Sequence, residues 1–161
     1  MIIGTTADAR FVTPDDMPAK IVAFCRETGQ LAPDHPGAFV RCALESLALF
    51  YRITLRQLEQ LIGKKIERLN IVGGGSKNTL LNQFAANALQ IPVIAGPAEC
   101  TALGNILVQA LALGHLPSLA AAREVVRNSF EVATVKPQAG AAWDGAFERF
   151  EKLAASASDP R

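Results

Sequence analysis

The segment "LNIVGGGSKNTLLNQF", residues 69–84, decides how the 161-residue sequence reads. Preceded by "ER", its apolar residues predict a short buried strand over 67–72, and the three glycines that follow predict a sharp turn. Glycine gives up more backbone entropy on folding than any other residue, so three in a row mark a place where the backbone itself has work to do. Ser76 is a good N-cap for a helix from Lys77 to about Gln90, with Leu80, Leu81, Phe84, Ala85 and Ala88 inward. "IPVIAG" (91–96) predicts a second strand, and Pro97 suits the first position of a third helix. Strand, glycine turn, helix, strand, helix is an α/β pattern with parallel strands, whose ligands gather at the carboxyl ends of the strands.

Upstream, Val40, Leu44, Leu47, Tyr51, Leu55, Leu58 and Ile62 recur at three- and four-residue steps. That is one stripe on a helix spanning Ala38 to Ile62, with Gly63 placed for a left-handed C-cap. Residues 1–37 carry Pro14, Pro18, Pro33 and Pro36 around a short helical segment, Ala19 to Arg26, and form a loop-rich N-terminal segment. Downstream, Leu103, Leu107, Ala110 and Leu111 mark a helix that stops at Gly114, and Ser118 caps another reaching about Asn128. "SFEVATVKP" (129–137) alternates like an edge strand, and a last helix carries Trp143, Phe147, Phe150 and Leu153. The main body therefore spans 38–155, and 156–161 forms a frayed tail. Two firm strands and one weaker one accompany about five helices, whereas sheets have about five or six strands, so sheet partners lie outside the sequence.

Composition narrows the function. Half the residues are hydrophobic and 19% are charged, enough for a buried core. A net charge of +1 without Lys/Arg clusters excludes a nucleic-acid surface. The longest apolar run, 102–114, is shorter than the roughly 20 residues that cross a bilayer and carries Asn105 and Gln109. "MIIGTTADARF" lacks the basic and apolar regions of a secretory signal, and the expected location is cytoplasmic. Cys25, Cys42 and Cys100 are too few and too scattered for a disulfide scaffold or a zinc site.

Two familiar glycine loops fail. The phosphate loop needs Gly-Lys-Ser/Thr, but Lys77 follows Ser76 and precedes Asn78. The dinucleotide fingerprint fits Gly73 and Gly75 but meets Asn78 at its third position, and no acidic residue closes the second strand. A nicotinamide-dependent oxidoreductase would rest on two matching glycines alone. The bland alternative is a turn that lets a helix pack tightly on its strand.

A longer match is available. "IVGGGSKNTLLNQFAANAL" followed by "IPVIAGPAECTALGNILVQALALG" resembles the C-terminal lobe of FGGY-type carbohydrate kinases, in the branch acting on rhamnulose-like ketoses. "RF", "PDDMP", "FCRETGQ" and "RCALESLALFYR" agree in order, so the resemblance covers about 8–135. It implies an incomplete C-terminal lobe of an actin/RNase H-like ATPase fold, helix-rich with a small parallel sheet, and a cleft that binds ATP and sugar. By the resemblance the glycine turn holds the adenosine part of ATP. Gly74 would touch the nucleotide, Gly73 and Gly75 would permit close approach, and Ser76 and Asn78 would supply polar contacts to base or ribose.

In "GPAECTALGN" the small residues Ala98, Ala102 and Gly104 suit helix packing, leaving Glu99 and Asn105 as polar candidates; Lys77 is expected to face solvent. The general-base aspartate, the phosphate turns and the carboxylates for Mg²⁺ that such a kinase needs have no counterpart here, so no catalytic residue and no metal ligand is assigned. Asp8, Asp15, Asp16, Asp34 and Asp144 read as surface or capping residues, and His35 and His115 as solvated. Cys25 and Cys42 match cysteines of the family pattern; a disulfide between them is geometrically possible, while a reducing cytoplasm favours two half-buried thiols. The expected function is the ATP-binding fragment of a carbohydrate kinase, inactive until the N-terminal part completes it. The alternative is a non-catalytic lobe that associates with itself or a partner.

Overall fold

The computed structural model describes residues 8–138 and 140–157. Residues 1–7 and most of the tail expected over 156–161 lie outside the described residues. Helix α1 (Met17–Glu27) is capped by Asp16 and α2 spans Pro36–Ile62, two residues longer at its start than the periodicity predicts. His35 supplies the extra turn's cap, its Nδ1 accepting from the Ala38 N–H at 3.2 Å. At the other end Gly63 takes the left-handed conformation, φ 65°, as the C-cap expected from sequence.

Strand β1 (Leu69–Ile71) leads through the glycine turn to α3 (Thr79–Leu89), then β2 (Val93–Ala95) and α4 (Cys100–Ala112). Helix α5 (Leu119–Ser129), capped by Ser118 as expected, β3 (Ala133–Val135) and α6 (Ala141–Ala157) complete the chain. The three-stranded sheet has the order β1-β2-β3. β1 and β2 are parallel, with Leu69 opposite Val93, whereas β3 runs antiparallel to β2. The sheet is thus mixed, and the connections explain it. One helix between β1 and β2 returns the chain to run in the same direction, while two helices between β2 and β3 deliver it reversed.

Helix α3 is the centre of the packing. One side buries Phe84 and Ala88 against Ala48 and Leu49 of α2 and against Trp143, Ala146, Phe147 and Phe150 of α6. The other side buries Ala85, Ala86 and Leu89 against Val93, with Leu69, Ile71 and Val135 of the sheet closing round them. The α6 aromatics lie where the sequence places them. Leu80, expected inward, is 46% exposed: it lies in the first turn of a helix that begins at Thr79, ahead of the buried run that starts at Leu81.

The buried face of α2 also differs from the predicted stripe. Cys42, Glu45, Ser46, Ala48 and Leu49 are buried, while Val40, Leu58 and Ile62 are exposed. Tyr51 and Leu55 of the stripe are partly covered against the sheet side, and Leu44 and Ile53 against the α6 side. A helix touched from two directions spreads its apolar residues over more than one stripe. Cys25 and Cys42 share a third cluster with Ile21, Phe11 and Met17, both as thiols, and burial pushes the Cys25 thiol up.

The connection from α2 to β1 is fixed by one carboxylate. Glu59 accepts from the Ile66 N–H at 2.8 Å and from Lys65 Nζ at 2.9 Å, chiefly the first of which holds its pKa below the ordinary value of 4.5. A folded-state pKa below the unfolded one adds stability that is complete above the unfolded value and disappears as pH falls through the folded one. Glu59→Gln should therefore flatten the decline in stability below pH 4.5, measured by urea titration across the acid range, while the wild type loses stability over that window.

Candidate functional site

β1 and β2 are parallel, so the turns that leave them lie side by side at one end of the sheet. Gly73 opens the first turn with φ 76° and ψ −163°, a region essentially reserved for glycine. Its N–H donates to the Pro97 carbonyl at 3.0 Å, and the Gly96 N–H donates to the Ile71 carbonyl at 2.8 Å, so the two turns are tied backbone to backbone. A Cβ at Gly96 would meet Val72 Cγ1 at 3.0 Å, which is why the second turn carries a glycine there. Pro97, expected to begin a helix, lies in this loop instead, and α4 starts at Cys100 with Glu99 as its N-cap.

Residues Gly74–Lys77 form a short 3₁₀ helix before α3. Ser76 does not cap α3. Its Oγ donates back to the Gly73 carbonyl at 2.7 Å, alongside its own N–H at 3.0 Å, and so closes the turn on itself. The α3 cap is Asn78, whose Oδ1 accepts from the Leu81 N–H at 3.0 Å. Both residues are good caps by type, and the one that wins is set by the tertiary grip on Ser76.

Asn82 supplies that grip. It is 2% exposed, and its Nδ2 donates to the Ser76 carbonyl at 2.8 Å from inside α3. Its Oδ1 is buried and has no hydrogen-bond partner among the described residues. Sequence reasoning passed over Asn82 because a polar residue inside an apolar helical run carries no local mark of where it points. It also missed the pairing of the two turns, which only the parallel register brings about.

The expected residues Gly73, Gly74, Gly75, Ser76 and Asn78 are thus contiguous in one turn, with distinct tasks. Gly73 is required by its own backbone. Gly74 is exposed, and nothing lies within 4 Å of where its Cβ would be. Gly75 has the Ile71 side chain at 3.8 Å, an ordinary contact. The chain's own packing therefore leaves the space over Gly74 clear, so a flat ring or a sugar can approach its backbone. The amino-terminal ends of α3 and α4 follow the two turns, which gives this end of the sheet a positive dipolar character. Lys77, Glu99 and Asn105 are exposed.

The aspartates are engaged elsewhere. Asp16 caps α1, Asp8 caps an N-terminal turn and pairs with Arg10, and Asp15 pairs with Lys20. Asp144 accepts from Arg52 at 2.7 Å, and Asp34 is exposed. Among the described residues no three His, Cys, Asp or Glu side chains gather to hold a metal ion, and no helix is long and apolar enough to cross a membrane.

Comparison with known proteins agrees with this architecture. Residues 3–113 match the model of the FGGY family of carbohydrate kinases, C-terminal domain. A rhamnulokinase from Bacteroides thetaiotaomicron is 47% identical over 144 residues, covering 89% of this chain and 30% of that protein. A rhamnulokinase from Pectobacterium carotovorum is 41% identical over 96% of this chain and 31% of its own length. Among solved structures, a xylulose kinase from Rhodospirillum rubrum superposes with a TM-score of 0.59 at 22% identity, over 78% of this chain and 26% of that one. The chain thus spans under a third of the length of these relatives, and its helix-rich body on a small sheet is part of a sugar-kinase lobe. The chain belongs to the FGGY family of carbohydrate kinases and carries its C-terminal domain, rhamnulokinase-like in sequence.

Proposed function

We propose that the chain provides the adenosine side of the ATP site of a carbohydrate kinase acting on a rhamnulose-like ketose. The γ-phosphate passes to a sugar hydroxyl only when the remainder of the kinase fold completes the site. The observation that carries this reading is the open backbone of Gly74, held at the carboxyl end of β1 by the Gly73–Pro97 and Ser76–Asn82 hydrogen bonds. Gly73 and Gly75 allow the approach. Ser76 and Asn78 have spent part of their hydrogen-bonding capacity on the turn, and what remains, including the Asn78 amide nitrogen, is available to the base or ribose.

ATP arrives in this reading as its magnesium complex, with the ion's carboxylates and the general base on the N-terminal part. That part is the partner of the lobe, and the location is cytoplasmic. The second reading is a non-catalytic lobe that binds a partner or a second copy; among the described residues the outer edge of β1 has no strand beside it.

Two neighbouring glycines separate folding from binding. Gly73→Ala forces a side chain into a backbone region that costs about 1–3 kcal/mol, and should lower the thermal midpoint by several degrees. A Cβ at Gly74 meets no protein atom within 4 Å, so Gly74→Val should leave stability within about 0.5 kcal/mol of wild type. Titration of the ¹⁵N-labelled chain with millimolar ATP should shift the amides of Gly73 to Asn78, and Gly74→Val should abolish those shifts. Shifts scattered over the surface, or shifts that survive Gly74→Val, would overturn the assignment. The purified chain with ATP and L-rhamnulose should release no ADP above background, and steady turnover would show that the catalytic base lies within these residues.

A further inference from the structure

Helix α3 buries two asparagines, and their amides serve different parts of the fold. Asn82, in the first turn of the helix, is 2% exposed, and Asn87, near its end, is 8% exposed. Burying an amide is unfavourable unless it is hydrogen-bonded, so the partners of each define its task. The Asn87 Oδ1 accepts from Gln83 Nε2 at 2.9 Å and from the Gln138 N–H at 2.8 Å, which fixes the chain just after β3. Asn82 serves the glycine turn instead, its Nδ2 donating to the Ser76 carbonyl at 2.8 Å. The Ser76 N–H and Oγ in turn both donate to the Gly73 carbonyl, at 3.0 and 2.7 Å. Gly74 lies inside the loop that these bonds close, and it has no side chain of its own to hold it. The exposed Gly74 backbone is therefore kept in place by a chain of contacts that begins at Asn82.

We propose that Asn82 is a positioning residue for the nucleotide: it sets the affinity of the glycine turn for the adenosine part of ATP without touching it. The proposal rests on the adenosine-side reading of the turn and names the side chain through which α3 controls that turn. Asn82 is almost wholly covered, so a molecule that approaches over Gly74 meets peptide and not the Asn82 amide. A bare peptide presents its N–H and carbonyl in directions set by the backbone angles alone, so such a ligand reads the conformation of the turn. Without the Nδ2 donor the half-buried Ser76 carbonyl is free to turn towards water, and the turn loses its tie to the buried face of α3. The entropy of ordering the turn again is then subtracted from the affinity. The fold itself is less affected, because α3 remains packed through Phe84 and Ala88 on one side and Ala85, Ala86 and Leu89 on the other.

Two leucine substitutions separate positioning from stability. Asn82→Leu removes the bond to Ser76, whereas Asn87→Leu removes both bonds to Oδ1 at the other end of the same helix. Asn87→Leu should therefore lower the thermal midpoint at least as much as Asn82→Leu. ATP titrations of the ¹⁵N-labelled full chain should give the opposite order. Asn82→Leu should raise the dissociation constant at least about fivefold, and Asn87→Leu should leave it within about twofold of wild type. Without nucleotide, the Gly73 and Ser76 amides of Asn82→Leu should exchange hydrogen faster, while those of Ala85 to Leu89 keep their wild-type rates. Asn82→Ala removes the same donor with a smaller side chain and covers the case in which the leucine variant fails to fold. Wild-type ATP affinity in the Asn82 variants would overturn the proposal and leave the adenosine-side reading standing. So would an equal loss of affinity in Asn87→Leu, which would trace the effect to stability. A wild-type chain whose Gly73 to Asn78 amides do not respond to ATP would overturn the reading, and the proposal with it.

Discussion

The structure depends on the burial of α3. Lying between α2 and α6 on one side and the sheet on the other, it is covered almost all round, and most of its residues from Leu81 to Leu89 are buried. An 11-residue helix is marginal by itself, so its stability comes from that packing. Everything near the candidate site inherits the constraint. The start of α3 fixes Asn78 and Asn82, and β1 and β2 are held in parallel because the helix that joins them is clamped on the sheet.

The glycine turn is consequently not a flexible loop. Asn82 holds the Ser76 carbonyl, Ser76 holds Gly73, and Gly73 holds Pro97 across the gap to the next turn. Each link spends a polar group on positioning backbone and none on covering Gly74. A binding surface of bare peptide is useful only if it keeps its shape, since a loop that had to order itself would lose its ordering entropy from the affinity. The unpartnered Asn82 Oδ1 belongs to the same economy: burying an acceptor without a donor is unfavourable, and the turn geometry that its Nδ2 secures is what the fold retains in return.

Much of this was legible in the sequence because the signals were local. Gly63 as a left-handed cap, Ser118 as an N-cap, the α6 aromatics and the strand–turn–helix order need only neighbouring residues to be recognised. What was not legible depends on which of several partners a polar side chain takes once the helices are packed. Ser76 and Asn78 are equally good caps by type, and Asn82 from the next turn decides between them. Glu45 is buried and accepts from Arg41 Nε at 2.8 Å, while the Arg41 guanidinium lies over the Phe84 ring. The i,i+4 spacing of that pair can be read in the sequence, but its place over Phe84 of another helix cannot. The stripe on α2 misled for the opposite reason: its periodicity is real, but two neighbours cover different parts of the helix, leaving Val40, Leu58 and Ile62 outside.

Those uncovered residues complete the physical picture. Helix α4 contains no charged residue, yet none of its residues is fully buried, and Ile106 and Val108 lie exposed on it. Beside the polar Thr101, Asn105 and Gln109, it thus leaves large apolar side chains uncovered. The same holds for β1, whose inner edge is paired and whose outer edge faces an apolar groove. The core around α3 is thus satisfied from within the chain, while α4 and the edge of β1 have apolar surface left over. That division matches a domain spanning under a third of its relatives' length. The two uncovered surfaces differ in what they demand. The strand edge offers directional hydrogen bonds that set register and partner orientation, whereas α4 offers only non-directional apolar area.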